Sequence, residues 1–144
     1  MGYTTIQAAR LAGCAPEQLD AWRTVEVVVP RAADGRYTTN DLVALRLTAA
    51  LLDAGAGMRA VRAAVEVLPT GADVVAGTRL VVGADRAVAC TDDAAFADAL
   101  AVEPVVLVVA VGPFVDAVRR EERAFAADRR AFVDDLRDPE PPAA

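Results

Sequence analysis

Arginine is the only basic residue in this chain: fifteen Arg, with no Lys and no His, stand against twenty-one Asp and Glu. Ser is also absent. Without His or Lys there is no ordinary general base poised near neutral pH, and without Ser, or a Cys beside a basic partner, there is no evident nucleophile. The carboxylates are scattered along helical faces and the C-terminal end, where they read as solvating charge. The chain is therefore expected not to be an enzyme. What Arg does well is fork a phosphate with two parallel N–H donors, and Arg23, Arg31 and Arg36 fall close together early in the chain. The chemistry to expect there is anion recognition.

Those arginines need elements to hold them. Thr4 with Gln7 has the capping-box spacing, so a helix is expected from Thr5 to about Ala12, with Ile6, Ala9 and Leu11 inward and Gly13 ending it in the left-handed region. Pro16 fits the first turn of a second helix, from about Pro16 to Arg23, on which Leu19 and Trp22 face the first. Val25 to Val29 is a β-branched run suited to a strand. Arg31 to Gly35 supplies turn residues, and Arg36-Tyr37 is expected to return antiparallel, making a hairpin wing. Thr38, with Asp41 at the third helical position, caps the next helix, whose stripe is Leu42, Leu45, Ala49 and Leu52 and whose end is Gly55. Met58, Val61, Val65 and Leu68 form another stripe, closed by Pro69.

This N-terminal stretch resembles a known family. The pattern Tyr3-Thr4, Ala9-Arg10-Leu11-Ala12-Gly13, Pro16, Leu19, then Pro30, Gly35, Arg36-Tyr37-Thr38 and Asp41-Leu42 is similar to the DNA-binding domain of MerR-family transcription regulators, over roughly Tyr3 to Leu68. The resemblance implies a winged helix-turn-helix whose second helix enters the major groove while the wing contacts phosphates, with a C-terminal region that holds a homodimer. Carried onto this chain, it implies a DNA-binding surface of Glu17, Gln18, Asp20, Ala21, Arg23, Arg31, Arg36 and Tyr37, and double-stranded promoter DNA as partner.

Beyond Leu68 the pattern changes. Residues 69–77 read as a linker between a domain at 1–68 and an α+β unit at 78–137, because Pro, Thr, Gly and Asp cluster there without helical period. Thr78 to Val82 and Arg86 to Thr91 are short β-rich runs separated by Gly83-Ala84-Asp85, and Asp92 with Asp93 begins a helix carrying Phe96 and Leu100. Val105 to Val111 is uniformly apolar. That fits a strand covered on both faces, central in a sheet or buried by a second subunit. Pro113 to Arg137 reads as one long helix with Val118, Phe125 and Phe132 at seven-residue spacing and Leu136 beside them, a narrow stripe suited either to a partner helix or to its own sheet. Residues 138–144 are expected to be a disordered tail. The fold class is α+β: the winged domain, a ββαβ unit and the long helix.

Charge complicates the phosphate reading. Residues 1–68 carry seven Arg and seven acids, so the net −6 lies in residues 69–144. Glu17 and Asp20 place two carboxylates on the second helix, where they repel phosphates, although a carboxylate does accept from cytosine N4. Two functions follow from the sequence: a homodimeric DNA-binding transcription regulator with an atypically acidic recognition helix, or a winged-helix regulator, antitoxin-like, whose acidic helix meets a basic protein partner. No apolar run approaches a membrane span and no basic-apolar leader begins the sequence, so the cytoplasm is the expected location. Cys14 and Cys90 have no metal-ligand spacing and read as small buried residues; no metal or cofactor is expected.

Overall fold

Thr4 and Gln7 cap the first helix reciprocally: the Gln7 amide N–H donates to Thr4 Oγ1 at 3.3 Å, and the Thr4 N–H donates to Gln7 Oε1 at 3.0 Å. This sets α1 at Thr5–Ala12 in the computed structural model, which describes residues 2–69, 77–103 and 105–137. Gly13, at φ 71°, ends it. The linker expected at 69–77 and the tail at 138–144 fall almost wholly outside the described residues. Helix α2 (Pro16–Thr24) starts on its proline, and Gln18 Oε1 accepts from the Ala15 N–H at 3.0 Å. Thr38 and Asp41 repeat the reciprocal cap at the head of α3 (Thr39–Asp53), and α4 (Met58–Val67) follows.

Two local expectations are corrected. Ile6 is 73% exposed, because the buried residues of α1, namely Ala8, Ala9, Leu11 and Ala12, centre on the opposite side of the helix at about 100° per residue. Val25 to Val29 is not a strand. Its backbone is spent finishing α2: the Val27 N–H donates to Trp22 O at 2.9 Å, Glu26 turns through φ 58°, and Arg62 donates to Val25 O at 2.7 Å. Val27 and Val28 are buried there as core side chains. Burial outranks β-propensity here, since β-propensity mostly reports fit to a half-buried surface. The return segment therefore has no partner in 25–29, and Tyr37 pairs with Tyr3 in an isolated antiparallel bridge.

The C-terminal half is a three-stranded antiparallel sheet in the order β2-β1-β3, made of β1 (Arg79–Val82), β2 (Ala87–Cys90) and β3 (Leu107–Ala110). Val82 pairs with both Ala87 and Leu107, and Arg79 with both Cys90 and Ala110. The β1–β2 link is closed by the Gly83 N–H donating to Arg86 O at 2.7 Å. Between β2 and β3 lies α5 (Asp93–Val102), capped by Asp92, whose Oδ1 accepts from the Ala95 N–H at 2.8 Å. The Arg79 guanidinium stacks 4.4 Å over the Phe96 ring and bonds Asp93 at 2.7 Å. The ββαβ unit is as expected, but its third strand is not central in the sheet. β3 is an edge strand with Val108 50% exposed, because β1 takes the centre of the sheet.

Helix α6 (Gly112–Arg137) is the longest element. Val115 and Val118 near its start join Leu80 and Val82 of β1 and the helices α1, α3 and α4 in one contiguous buried cluster. The sheet rests on α4, and α6 runs along α1 and α3. The apolar stripe of α6 is thereby divided. Its first half covers its own chain, while Phe132 and Leu136 stand 64% and 67% exposed. Among the described residues no helix is long and apolar enough to cross a membrane, and no group of Cys, Asp or Glu is placed to hold a metal ion.

Candidate nucleic-acid interface

The second helix is held by its buried side. Leu19 and Trp22 are in the core, packing α2 against α1, and the helix therefore presents Glu17, Gln18, Asp20, Ala21 and Arg23 to solvent. Glu17 lies in the first turn, where a carboxylate complements the positive end of the helix dipole. Gln18 is partly committed, since its side-chain oxygen caps the helix. The base of α2 is secured by Arg62, and the end of α1 by Arg46, which donates to Leu11 O at 2.9 Å. Neither arginine stood out in the sequence, because each lies on a helix face where Arg ordinarily meets water.

The loop from Pro30 to Arg36 carries the other exposed cations. Arg31 and Arg36 are both exposed. Asp34 Oδ1 accepts from the Arg36 N–H at 3.0 Å, and Gly35 takes φ 75°, which together fold the tip. The stem of Arg36 lies across Gly2, where an added Cβ would sit only 2.5 Å from the Arg36 Cβ. Among the described residues, none of Glu17, Asp20, Arg23, Arg31 and Arg36 takes part in an ion pair. Three forks and two carboxylates are therefore free to meet a partner.

Tyr37 differs from the expectation that placed it on this surface. It is 1% exposed, its N–H and C=O exchange bonds with Tyr3 at 2.8 Å each, and its ring is core. Burial pushes its phenol above the usual tyrosine range, with Arg23 acting to lower it and Asp20 and Asp41 to raise it. Tyr37 thus supports the loop from beneath, next to α2, and does not itself meet an anion. Val118, expected on the pairing stripe of the long helix, is likewise buried in its own chain. Phe125 is half-buried, its ring edge-on to Tyr3 at 5.8 Å. Of the four residues expected to meet a second subunit, Phe132 and Leu136 remain fully available.

A cluster not foreseen from the sequence ties the long helix to this surface. Glu122 Oε2 accepts from the Tyr3 hydroxyl at 2.7 Å and from the Thr39 hydroxyl at 2.8 Å, and Arg10 pairs with Asp128 at 3.3 Å. Burial and the Glu122 carboxylate push the Tyr3 phenol up to about 12, so it stays a donor at every physiological pH. Glu122 sits in the run Arg-Arg-Glu-Glu-Arg, which in sequence looks like any solvated helix face.

Against known proteins, residues 3–67 match the family described as MerR HTH family regulatory protein. The matched segment takes in α1 to α4 and the loop between α2 and α3, and so includes every residue of the surface described above. No curated protein matches the chain.

Proposed function

We propose, starting from a MerR-family helix-turn-helix segment at residues 3–67, that this protein is a transcription regulator that binds double-stranded DNA as a homodimer. The observation that carries the reading is the family match over a surface on which Arg23, Arg31 and Arg36, in no ion pair among the described residues, accompany an outward-facing second helix. Arg23, Arg31 and Arg36 hold phosphates on either side of α2. Glu17, Gln18, Asp20 and Ala21 meet base edges, where the carboxylates accept from cytosine N4 and select against a bare electrostatic fit. The exposed outer half of α6, with Phe132 and Leu136, and the exposed Val108 of β3 support assembly of two chains, since exposed large apolar side chains of this kind are ordinarily covered.

The test is titration of the purified protein with its own promoter region across a salt series. Three phosphate forks in each of two subunits imply a slope of log K on log salt of roughly −5. Absence of binding at low salt would remove the reading.

A second reading rests on the free carboxylates of α2. Glu17 and Asp20 have no ion-pair partner among the described residues, and the family segment as a whole carries no net charge. On that reading the same winged surface docks a basic protein and binds DNA weakly or not at all.

A further inference from the structure

We infer that Glu122 is a positioning residue through which the long C-terminal helix α6 sets the placement of the Pro30–Arg36 loop. The inference rests on the DNA-binding reading above for its functional meaning, but not for its structural content.

One carboxylate oxygen of Glu122 accepts two hydroxyl hydrogen bonds, from Tyr3 at 2.7 Å and from Thr39 at 2.8 Å. Both of those residues adjoin Tyr37. Tyr3 is its bridge partner, through paired main-chain bonds of 2.8 Å, and Thr39 is two positions further along the chain. Glu122 therefore holds the segment that returns from the 30–36 loop at two points, Tyr3, the bridge partner of Tyr37, and Thr39, the first residue of α3. The next residue back is Arg36, the exposed cation at the loop tip, whose stem rests on Gly2 beside Tyr3. A displacement of α6 carries Glu122, then Tyr3 and Thr39, then the Tyr37 backbone, and so moves Arg36.

A bond to an ionised acceptor is about twice as strong as a neutral one, and two on the same oxygen give a directional hold that an apolar contact lacks. The other contacts between α6 and the N-terminal segment do less. Arg10–Asp128 is exposed on both sides and so contributes little, and the edge-on Tyr3–Phe125 pair carries no charge. The high pKa of Tyr3 keeps its proton in place for the bond. Phe132 and Leu136, the exposed residues of α6, begin ten positions beyond Glu122, roughly 15 Å along the same rigid helix.

The experiment compares the full-length protein with Glu122→Ala, Glu122→Gln, Tyr3→Phe and the Tyr3→Phe/Glu122→Ala double variant. Amide hydrogen exchange at Tyr37 is expected to speed up about tenfold in Glu122→Ala while exchange at Val61 and Leu80, in the core, is unchanged. DNA affinity should fall about tenfold in Glu122→Ala with the salt slope preserved, because no phosphate contact is lost. Gln, which keeps an accepting oxygen, should restore most of it. The double variant should be no weaker than Glu122→Ala alone, as for two residues acting through one bond. Unchanged Tyr37 exchange, or additive effects of Tyr3→Phe and Glu122→Ala, overturns the inference. Should Glu122→Ala fail to fold, Tyr3→Phe decides by the same exchange measurement. Should the parent protein bind no DNA, the DNA-binding reading fails by itself, and exchange at Tyr37 still decides the role of Glu122.

Discussion

The guanidinium of Arg46, midway along α3, donates to the carbonyl oxygen of Leu11 in the last turn of α1 at 2.9 Å. It places a cation at the negative end of that helix and satisfies an acceptor that the helix itself leaves open. The turn between α1 and α2 is thereby tied to α3, which fixes the angle at which α2 leaves the body. Arg46→Met keeps the apolar stem and removes the donor, and is expected to lower stability by about 1–2 kcal/mol in urea denaturation. Cys14, whose thiol burial pushes up while Arg46 draws it down, should alkylate more slowly in this variant.

Arg36 is exposed and among the described residues bonds only through its backbone, so Arg36→Ala should leave the thermal midpoint nearly unchanged. If its fork meets a phosphate, DNA affinity falls alike for all sequences and the salt slope shrinks by about one per subunit. An unaltered slope takes Arg36 out of the interface.

Glu17→Gln with Asp20→Asn separates the two functional readings. On a DNA-facing helix the double change removes two like charges from the phosphate surface, and non-specific binding should strengthen with some loss of sequence preference. On a protein-docking helix it should weaken capture of a basic partner and leave DNA binding undetected. A DNA titration and a pull-down with the same two proteins distinguish the outcomes.

Phe132→Asp with Leu136→Asp tests assembly without touching the core, since both side chains are exposed in the single chain. Light scattering should show a dimer that dissociates in the variant at unchanged urea midpoint for the monomer. A dimer that persists would move the contact to the edge of β3, and a monomeric parent at tens of micromolar would end the homodimer reading.

Tyr3 gives a pH signature. Its phenol has a pKa of about 12 in the folded chain against an ordinary value of 10.0, so the folded state holds the proton more tightly. The stabilisation is complete below pH 10 and is lost as the pH rises toward 12. Denaturation midpoints should fall across that window, and Tyr3→Phe should flatten the fall. Some dependence remains in the variant, because burial raises Tyr37 as well.

What the sequence disclosed was whatever is encoded locally. The caps at Thr4, Thr38 and Asp92, the left-handed stop at Gly13 and the inward Leu19 and Trp22 depend on residues three or four apart, and each was legible. The failures are all tertiary. Val25 to Val29 has strand composition, yet Arg62, thirty-seven positions away, claims the Val25 carbonyl and the core claims Val27 and Val28. The apolar run at 105–111 suggested a strand either central in the sheet or buried by a second subunit, and the first is excluded because strand order is set by which neighbours pair, and β1 took the centre. The outward residues of α2 were legible because its two buried anchors were. Tyr37 was misplaced because a tyrosine beside a turn reads the same whether its ring points outward or in, and Glu122 was missed because both its partners lie more than eighty residues away.

The bond between Tyr3 and Glu122 spans 119 positions, and this sets an order of events in the cell. At roughly 5–20 residues per second, a ribosome adds Glu122 about 6–24 s after Tyr3, whereas helices form within about a microsecond. For that interval the helices of the family segment can already stand, while the carboxylate that holds Tyr3 and Thr39 has not yet been made. The wing is finished by the last long helix, so a nascent or prematurely ended chain carries the family segment without its final support.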